Sequence, residues 1–243
     1  MVRNSYKKVA ELPILQNVLA ETVDALEEQG KIQSYKKGSI VYRASQPQNQ
    51  VFILMEGIAF IYTLTNEGIR KIIFILGPGA ILNESIFIPE RCGIYCEMLK
   101  AGKVYQVEQK KVMELMEKDF TLVQALMVAQ EYKLKRTCHQ LKNTLGSIYQ
   151  ERKLAAKLWK LANDYGIPAA DSSAVTIDLN LSVTFLADMM GTPRETTSRI
   201  LRKLIDMNLI SMEKKVITVR NMQCLSNFYK HVCGNTCDCD EKK

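Results

Sequence analysis

Histidine is scarce in this chain: 243 residues include only His139 and His231. That leaves little material for a Ser-His-Asp triad or a histidine-rich metal centre, which need imidazole at the reacting atom. The phosphate-cradling and nucleophile-presenting motifs G-x-G-x-x-G, G-x-x-x-x-G-K and G-x-S-x-G are also missing, so no enzyme is expected. No apolar run approaches the ~20 residues of a membrane span, and a membrane is not an expected partner. The N-terminal MVRNSYKKVAELPIL has no continuous apolar stretch of the kind a secretion signal carries. Without such a signal, seven cysteines suit a reducing cytoplasm better than a disulfide scaffold. None of them precedes Cys92, and four crowd the last 20 residues. A formal charge of +7 permits an anionic partner without requiring one.

The most informative segment is Leu181 to Ile210, LSVTFLADMMGTPRETTSRILRKLIDMNLI. Leu186 and Met190 repeat at helical spacing, and Ala187 is small enough for another helix to cross closely. Gly191 ends that helix, because glycine takes the left-handed cap conformation without penalty. Thr192 then reads as the N-cap of a second helix, with Pro193 in its first turn and Glu195 completing a T-x-x-E capping box. Two short helices joined by a glycine turn form a helix-turn-helix, whose second helix enters the DNA major groove. Thr197, Ile200, Leu201 and Leu204 follow the inward periodicity of that helix. Arg194, Glu195, Ser198, Arg199 and Arg202 fall on the opposite face. Arginine donates twice to guanine, glutamate accepts from cytosine and serine is adaptable, so this face suits base reading in double-stranded DNA.

The remaining chain divides by texture. Residues 1 to 29 read as a helical lead-in ending at Gly30. From Lys31 to about Val107 short β-prone runs (SIVYRA, QVFILMEG, IAFIYTLTNEG, RKIIFILGPG, KVYQVE) alternate with turns at Gly38, Gly57, Gly68, Gly77 and Gly79, which indicates an antiparallel roll or sandwich. From Lys110 the pattern is helical. Phe120, Met127, Leu134, Leu141 and Ile148 recur every seven residues and present a seam to another helix, although the companion positions Val123, Gln130, Thr137 and Thr144 are weak. His139 lies on this helix among basic residues and reads as solvated. Another helix carries Leu154, Leu158, Leu161 and Tyr165 to Gly166, residues 167 to 175 read as a loop, and Thr176 to Leu179 as a short strand. Ile210 to Arg220 reads as a hairpin wing with Lys214 and Lys215 at its tip, suited to phosphate contact.

RETTSRILRKLIDMNLI closely resembles the recognition helix of the CRP/FNR superfamily of bacterial transcription regulators. Glu195, Ser198 and Arg199 match the E-x-x-S-R pattern of the FNR branch, and Arg194 adds the R-E pair of the cyclic-AMP receptor branch. The stretch KKGSIVYRASQPQNQVFILMEGIAFIYTLTNEG is similar to the effector-binding roll of the same superfamily, with its lysine-glycine start and L-x-x-G turn. The resemblance implies an α+β chain with an N-terminal antiparallel β-roll at 1–118, a dimerisation helix at 119–146 and a C-terminal winged helix-turn-helix at 147–231; the crowded cysteines mark 232–243 as a cysteine-rich tail. It also implies a homodimer on a palindromic promoter site with half-sites related to TTGAT or TGTGA, and contact with RNA polymerase if the protein activates.

Two sensing regions remain open at this level. In cyclic-nucleotide-binding members a G-E pair begins a phosphate cassette that ends in R-S or R-T. Here the segment runs from Asn83-Glu84 to Arg91-Cys92, so Glu84, Arg91 and Cys92 are the effector-binding candidates. Asn83 replaces the glycine, which argues against a cyclic nucleotide because close backbone approach to a phosphate leaves no room for Cβ. In the tail, Cys224, Cys233, Cys237 and Cys239 could supply thiolates to an iron–sulfur cluster, as FNR-branch resemblance invites; zinc, thiol chemistry or a plain reduced tail are the alternatives. The competing functional readings are a constitutive DNA-binding regulator with a relic roll and a cyclic-nucleotide-responsive module of an enzyme or channel.

Overall fold

A computed structural model describes residues 5–44, 46–87, 93–142, 149–170 and 172–230. The chain forms two compact units, 1–141 and 142–243.

In the first unit, short 3-10 turns at Val9–Glu11 and Pro13–Leu15 lead into helix α1, Ala20–Gln29. Gly30 follows because the Tyr105 ring occupies the place a Cβ would take, while the phenol donates to the Leu26 carbonyl at 2.6 Å and closes the helix. Strands β1 (Lys31–Tyr35), β2 (Ile40–Tyr42), β3 (Gln50–Leu64), β4 (Arg70–Leu76) and β5 (Tyr95–Glu108) make one antiparallel sheet in the order β1-β5-β3-β4, with β2 also on β5. β3 and β5 pair from Gln50↔Glu108 to Tyr62↔Tyr95 and form the backbone of the roll.

The two runs ending and starting around Gly57 are therefore one strand, not two strands and a turn. Gly57 adopts φ +87° inside a bulge, where a Cβ would strike the Ala101 carbonyl; across from it a Cβ on Gly102 would strike the Glu56 carbonyl. Two glycines on paired strands let the two backbones approach closely at this bulge. Gly38, Gly68 and Gly79 do take positive φ, whereas Gly77 does not.

Helices α2 (Gln109–Lys118) and α3 (Phe120–Lys142) follow the roll. Asp119 between them ties two helix starts together. Its carboxylate accepts from Thr121 N and Oγ1 at 2.8 and 2.6 Å, at the head of α3, and from Leu19 N at 3.3 Å, at the head of α1. Burial pushes its pKa up, but hydrogen bonds from Thr121, Thr22 and the Leu19 amide outweigh that and hold it below the ordinary value.

One face of α3 packs Leu122 and Leu126, with Ala125 and Ala129, into the core beneath the roll. The opposite face leaves Phe120, Met127 and Leu134 exposed at 68, 52 and 64%. These are three of the five heptad residues; the side chain of Leu141, and Ile148 entirely, lie outside the described residues. Val123, Gln130 and Thr137 are half-buried, while Gln124, Glu131 and Cys138 beside the heptad residues are exposed.

The second unit opens with α4, Gln150–Tyr165, which buries Leu154, Ala155, Leu158, Leu161 and Ala162. Strands β6 (Gly166–Pro168) and β7 (Val175–Ile177) pair as a hairpin, so part of the expected loop is strand. They continue into a four-stranded sheet, β6-β7-β9-β8, with β8 at Ile210–Glu213 and β9 at Val216–Val219. Helices α5 (Val183–Met190), α6 (Arg194–Asp206) and α7 (Met222–Lys230) complete the unit. Its core includes Leu154, Leu158, Ile177, Leu186, Leu204, Ile217 and Leu225, each fully buried.

Candidate nucleic-acid interface

Ser182 caps α5, its hydroxyl accepting from Phe185 N at 3.1 Å. Phe185, Leu186, Ala187, Met189 and Met190 are buried, and the helix ends at Gly191 with φ +70° and its N–H on the Ala187 carbonyl at 2.7 Å. The glycine stop therefore forms as the sequence indicates. The capping box does not. Pro193 holds the N-cap position of α6 and makes no side-chain cap bond. The Thr192 hydroxyl instead meets the Thr197 hydroxyl at 2.8 Å, and Thr197 also donates to the Pro193 carbonyl at 3.2 Å. A hydroxyl pair five residues apart takes the place of the cap bond, and it pins the turn to the first turn of α6.

α6 buries Thr197, Ile200, Leu201 and Leu204. Arg194, Glu195, Ser198, Arg199 and Arg202 are all exposed on the other side. At the edge of α6 the exposed Lys203 reaches Glu151 at the head of α4 at 2.8 Å. The Lys203 ammonium beside Glu151 holds that carboxyl below the usual range. Asn208, at φ +58°, ends the helix, and Leu209 N returns to the Leu204 carbonyl at 3.1 Å.

The wing tip is a two-residue turn in which Lys214 and Lys215 both take positive φ, +46° and +74°. That is the twist a tight hairpin needs, usually supplied by asparagine and glycine. Placing lysine at both positions costs stability, since a left-handed residue bearing a Cβ is strained by about 1 kcal/mol or more. The tip is fixed in place by the Leu181 amide, which donates to the Lys215 carbonyl at 2.8 Å immediately before α5. Both lysines are exposed. The wing and the helix-turn-helix thus share a backbone tie that sequence patterning does not reveal.

The roll presents a different picture. Segment 79–83 runs beside β3 through Gly79 N to Leu54 O, Leu54 N to Ala80 O and Leu82 N to Phe52 O. The side-chain amide of Asn83 adds one more rung: its Oδ1 accepts from Phe52 N and its Nδ2 donates to Gln50 O, both at 2.7 Å. Asn83 is 3% exposed. The residue in the cassette's glycine position is thus committed to the sheet. Glu84 is exposed, with its carboxylate near Gly93; Arg91 and Cys92 lie outside the described residues. Beside this segment the C-terminal half of α3 reaches the roll through polar side chains. Arg136 lies over the Phe74 ring at 5.2 Å and donates to Ile75 O, and Gln140 donates to Ile73 O at 3.0 Å.

Cys224 sits half-buried on α7, while Cys233, Cys237 and Cys239 lie outside the described residues. Among the described residues, no group of three or more potential metal ligands comes together, and no helix is long and apolar enough to cross a membrane.

Comparison with known proteins agrees with both units. Residues 152–228 match the Crp-like helix-turn-helix domain family, and residues 32–119 match the cyclic nucleotide-binding domain family. The chain belongs to the CRP/FNR superfamily, and it is a DNA-binding, signal-responsive transcription regulator. Among its relatives, the global nitrogen regulator of Synechococcus elongatus is 25% identical over 81% of this chain and 88% of its own length. The anaerobic regulatory protein of Pasteurella multocida is 23% identical over 78% of this chain and 68% of its own. Among solved structures, FixK2 from Bradyrhizobium japonicum shares the fold with a TM-score of 0.68 at 21% identity, covering 82% of this chain and 96% of that one.

Proposed function

We propose that the protein works as a cytoplasmic homodimer that reads a two-fold symmetric promoter site. In this reading α6 of each protomer enters one major groove, with Arg194, Glu195, Ser198, Arg199 and Arg202 facing the base edges. Lys214 and Lys215 hold the flanking phosphates. Phe120, Met127 and Leu134 meet their counterparts across the seam, and the signal acts through the roll or the cysteine tail. As an activator, the dimer would meet RNA polymerase beside its site.

The observation that carries this reading is the division of α6, with its apolar residues buried and every candidate base reader exposed. Selection from random duplex DNA should return a palindrome with half-sites about 34 Å apart, one helical turn. Asymmetric or unrelated sites would contradict it. Iron and sulfide analysis of anaerobically purified protein separates a redox signal from a small-molecule one: a cluster on Cys224, Cys233, Cys237 and Cys239 would colour the protein brown.

A further inference from the structure

Thr196 and Thr197 are identical neighbours in opposite surroundings. Thr197 is fully buried, and its hydroxyl is engaged by Thr192 and the Pro193 carbonyl. Thr196 is half-buried, and its hydroxyl oxygen accepts from Nη2 of Arg199 at 3.4 Å, one turn along α6.

We propose that Thr196 is a positioning residue: it aims the Arg199 guanidinium before DNA arrives and so sets base specificity without reading a base itself. The inference rests on the reading of α6 as the base-reading helix. An exposed arginine samples many rotamers and gives them up when it meets a guanine edge, so a group that restrains it beforehand lowers the cost of recognition. Threonine is a good restraint because β-branching leaves its helical hydroxyl only two side-chain rotamers. One guanidinium N–H on Thr196 still leaves four for a bidentate contact with guanine. Helix stability does not explain the choice, because threonine is a poorer helix former than alanine at a position that is not part of the core.

Binding to the selected operator and to random-sequence duplex, titrated over several salt concentrations, tests this in the full-length protein. The variants are Thr196→Val, Thr196→Ser, Arg199→Ala and the Thr196→Val/Arg199→Ala double. Valine keeps the branched shape and removes the acceptor. Thr196→Val should lower the operator-to-random affinity ratio by roughly three- to tenfold, the size of one modest hydrogen bond. Random-sequence affinity, salt slope and thermal unfolding should match the parent. Thr196→Ser should recover most of the ratio, and valine should add nothing once Arg199 is alanine. An unchanged ratio in Thr196→Val overturns the proposal. So does a valine effect that persists in full in the Arg199→Ala background, which would mean that Thr196 touches DNA itself. A parent that binds both DNAs equally would overturn the base-reading role of α6, and the proposal with it.

Discussion

The two units use their polar signature residues in opposite ways. On α6 the residues that carry the resemblance to DNA readers stand in solvent while the apolar face is buried. In the roll, the residue at the corresponding signature position of the cassette, Asn83, is buried and hydrogen-bonded to β3 on both sides of its amide. The first arrangement keeps hydrogen-bonding groups available for a partner. The second uses them to complete a sheet. The same fold thus leaves the polar face of α6 open to solvent and uses the Asn83 amide as a rung on β3.

The largest effect expected from breaking this arrangement lies on the seam. Leu134→Glu places like carboxylates opposite each other in an apolar interface, so sedimentation should show a monomer at micromolar concentration. Operator affinity should fall by about a hundredfold or more, because the two half-sites are no longer held together. A persisting dimer would place Leu134 outside the seam. Asn83→Gly sharpens the contrast from the other side. It leaves the Phe52 amide and Gln50 carbonyl without their partner, which should cost about 1–3 kcal/mol in denaturant unfolding. Calorimetry with a cyclic nucleotide should still show no binding, since glycine alone does not rebuild a cradle that also lacks its terminal hydroxyl residue; tight binding would mean that Asn83 was the only obstacle.

The wing gives a smaller effect of mixed sign. Lys214→Asn with Lys215→Gly relieves two left-handed residues and should stabilise the fold by roughly 1 kcal/mol. The same change should weaken binding to every sequence and reduce the salt slope by about two, one for each phosphate that no longer faces an ammonium group. Unaltered salt dependence would remove the wing from the DNA interface. The smallest effect belongs to Asp119. Folding lowers its pKa, so its contribution is fully present above the unfolded value, about 3.9, and disappears as pH falls through the folded value. Asp119→Asn should therefore cost more stability at pH 6 than at pH 3; an equal cost at both would show that ionisation of the clasp between α1 and α3 contributes nothing.

Helical periodicity made the buried and exposed faces of α6 legible, and Gly191 marked the end of α5 because its conformation depends on few neighbours. What escaped was the choice of partner for particular groups. Thr192 carries a capping-box pattern, but its hydroxyl is claimed by Thr197, which the pattern cannot weigh. The run LMEG reads as a turn, yet Gly57 sits in a bulge made possible by Gly102, far along the chain. Replacement of the cassette glycine was visible in the sequence; the use of Asn83 was not, because it depends on Gln50 and Phe52. The exposed heptad residues of α3 were legible, and the companion positions Val123, Gln130 and Thr137, weak in the sequence, are half-buried.

The most direct test of the account is the base preference of Arg199→Ala. Without the paired hydrogen bonds of the guanidinium, the operator should bind roughly 1–3 kcal/mol more weakly and the preference at one guanine should relax, while random-sequence binding changes little. If selection with Arg199→Ala returns the parent's preference at every position, α6 does not read bases through Arg199, and the assignment of this exposed face is wrong.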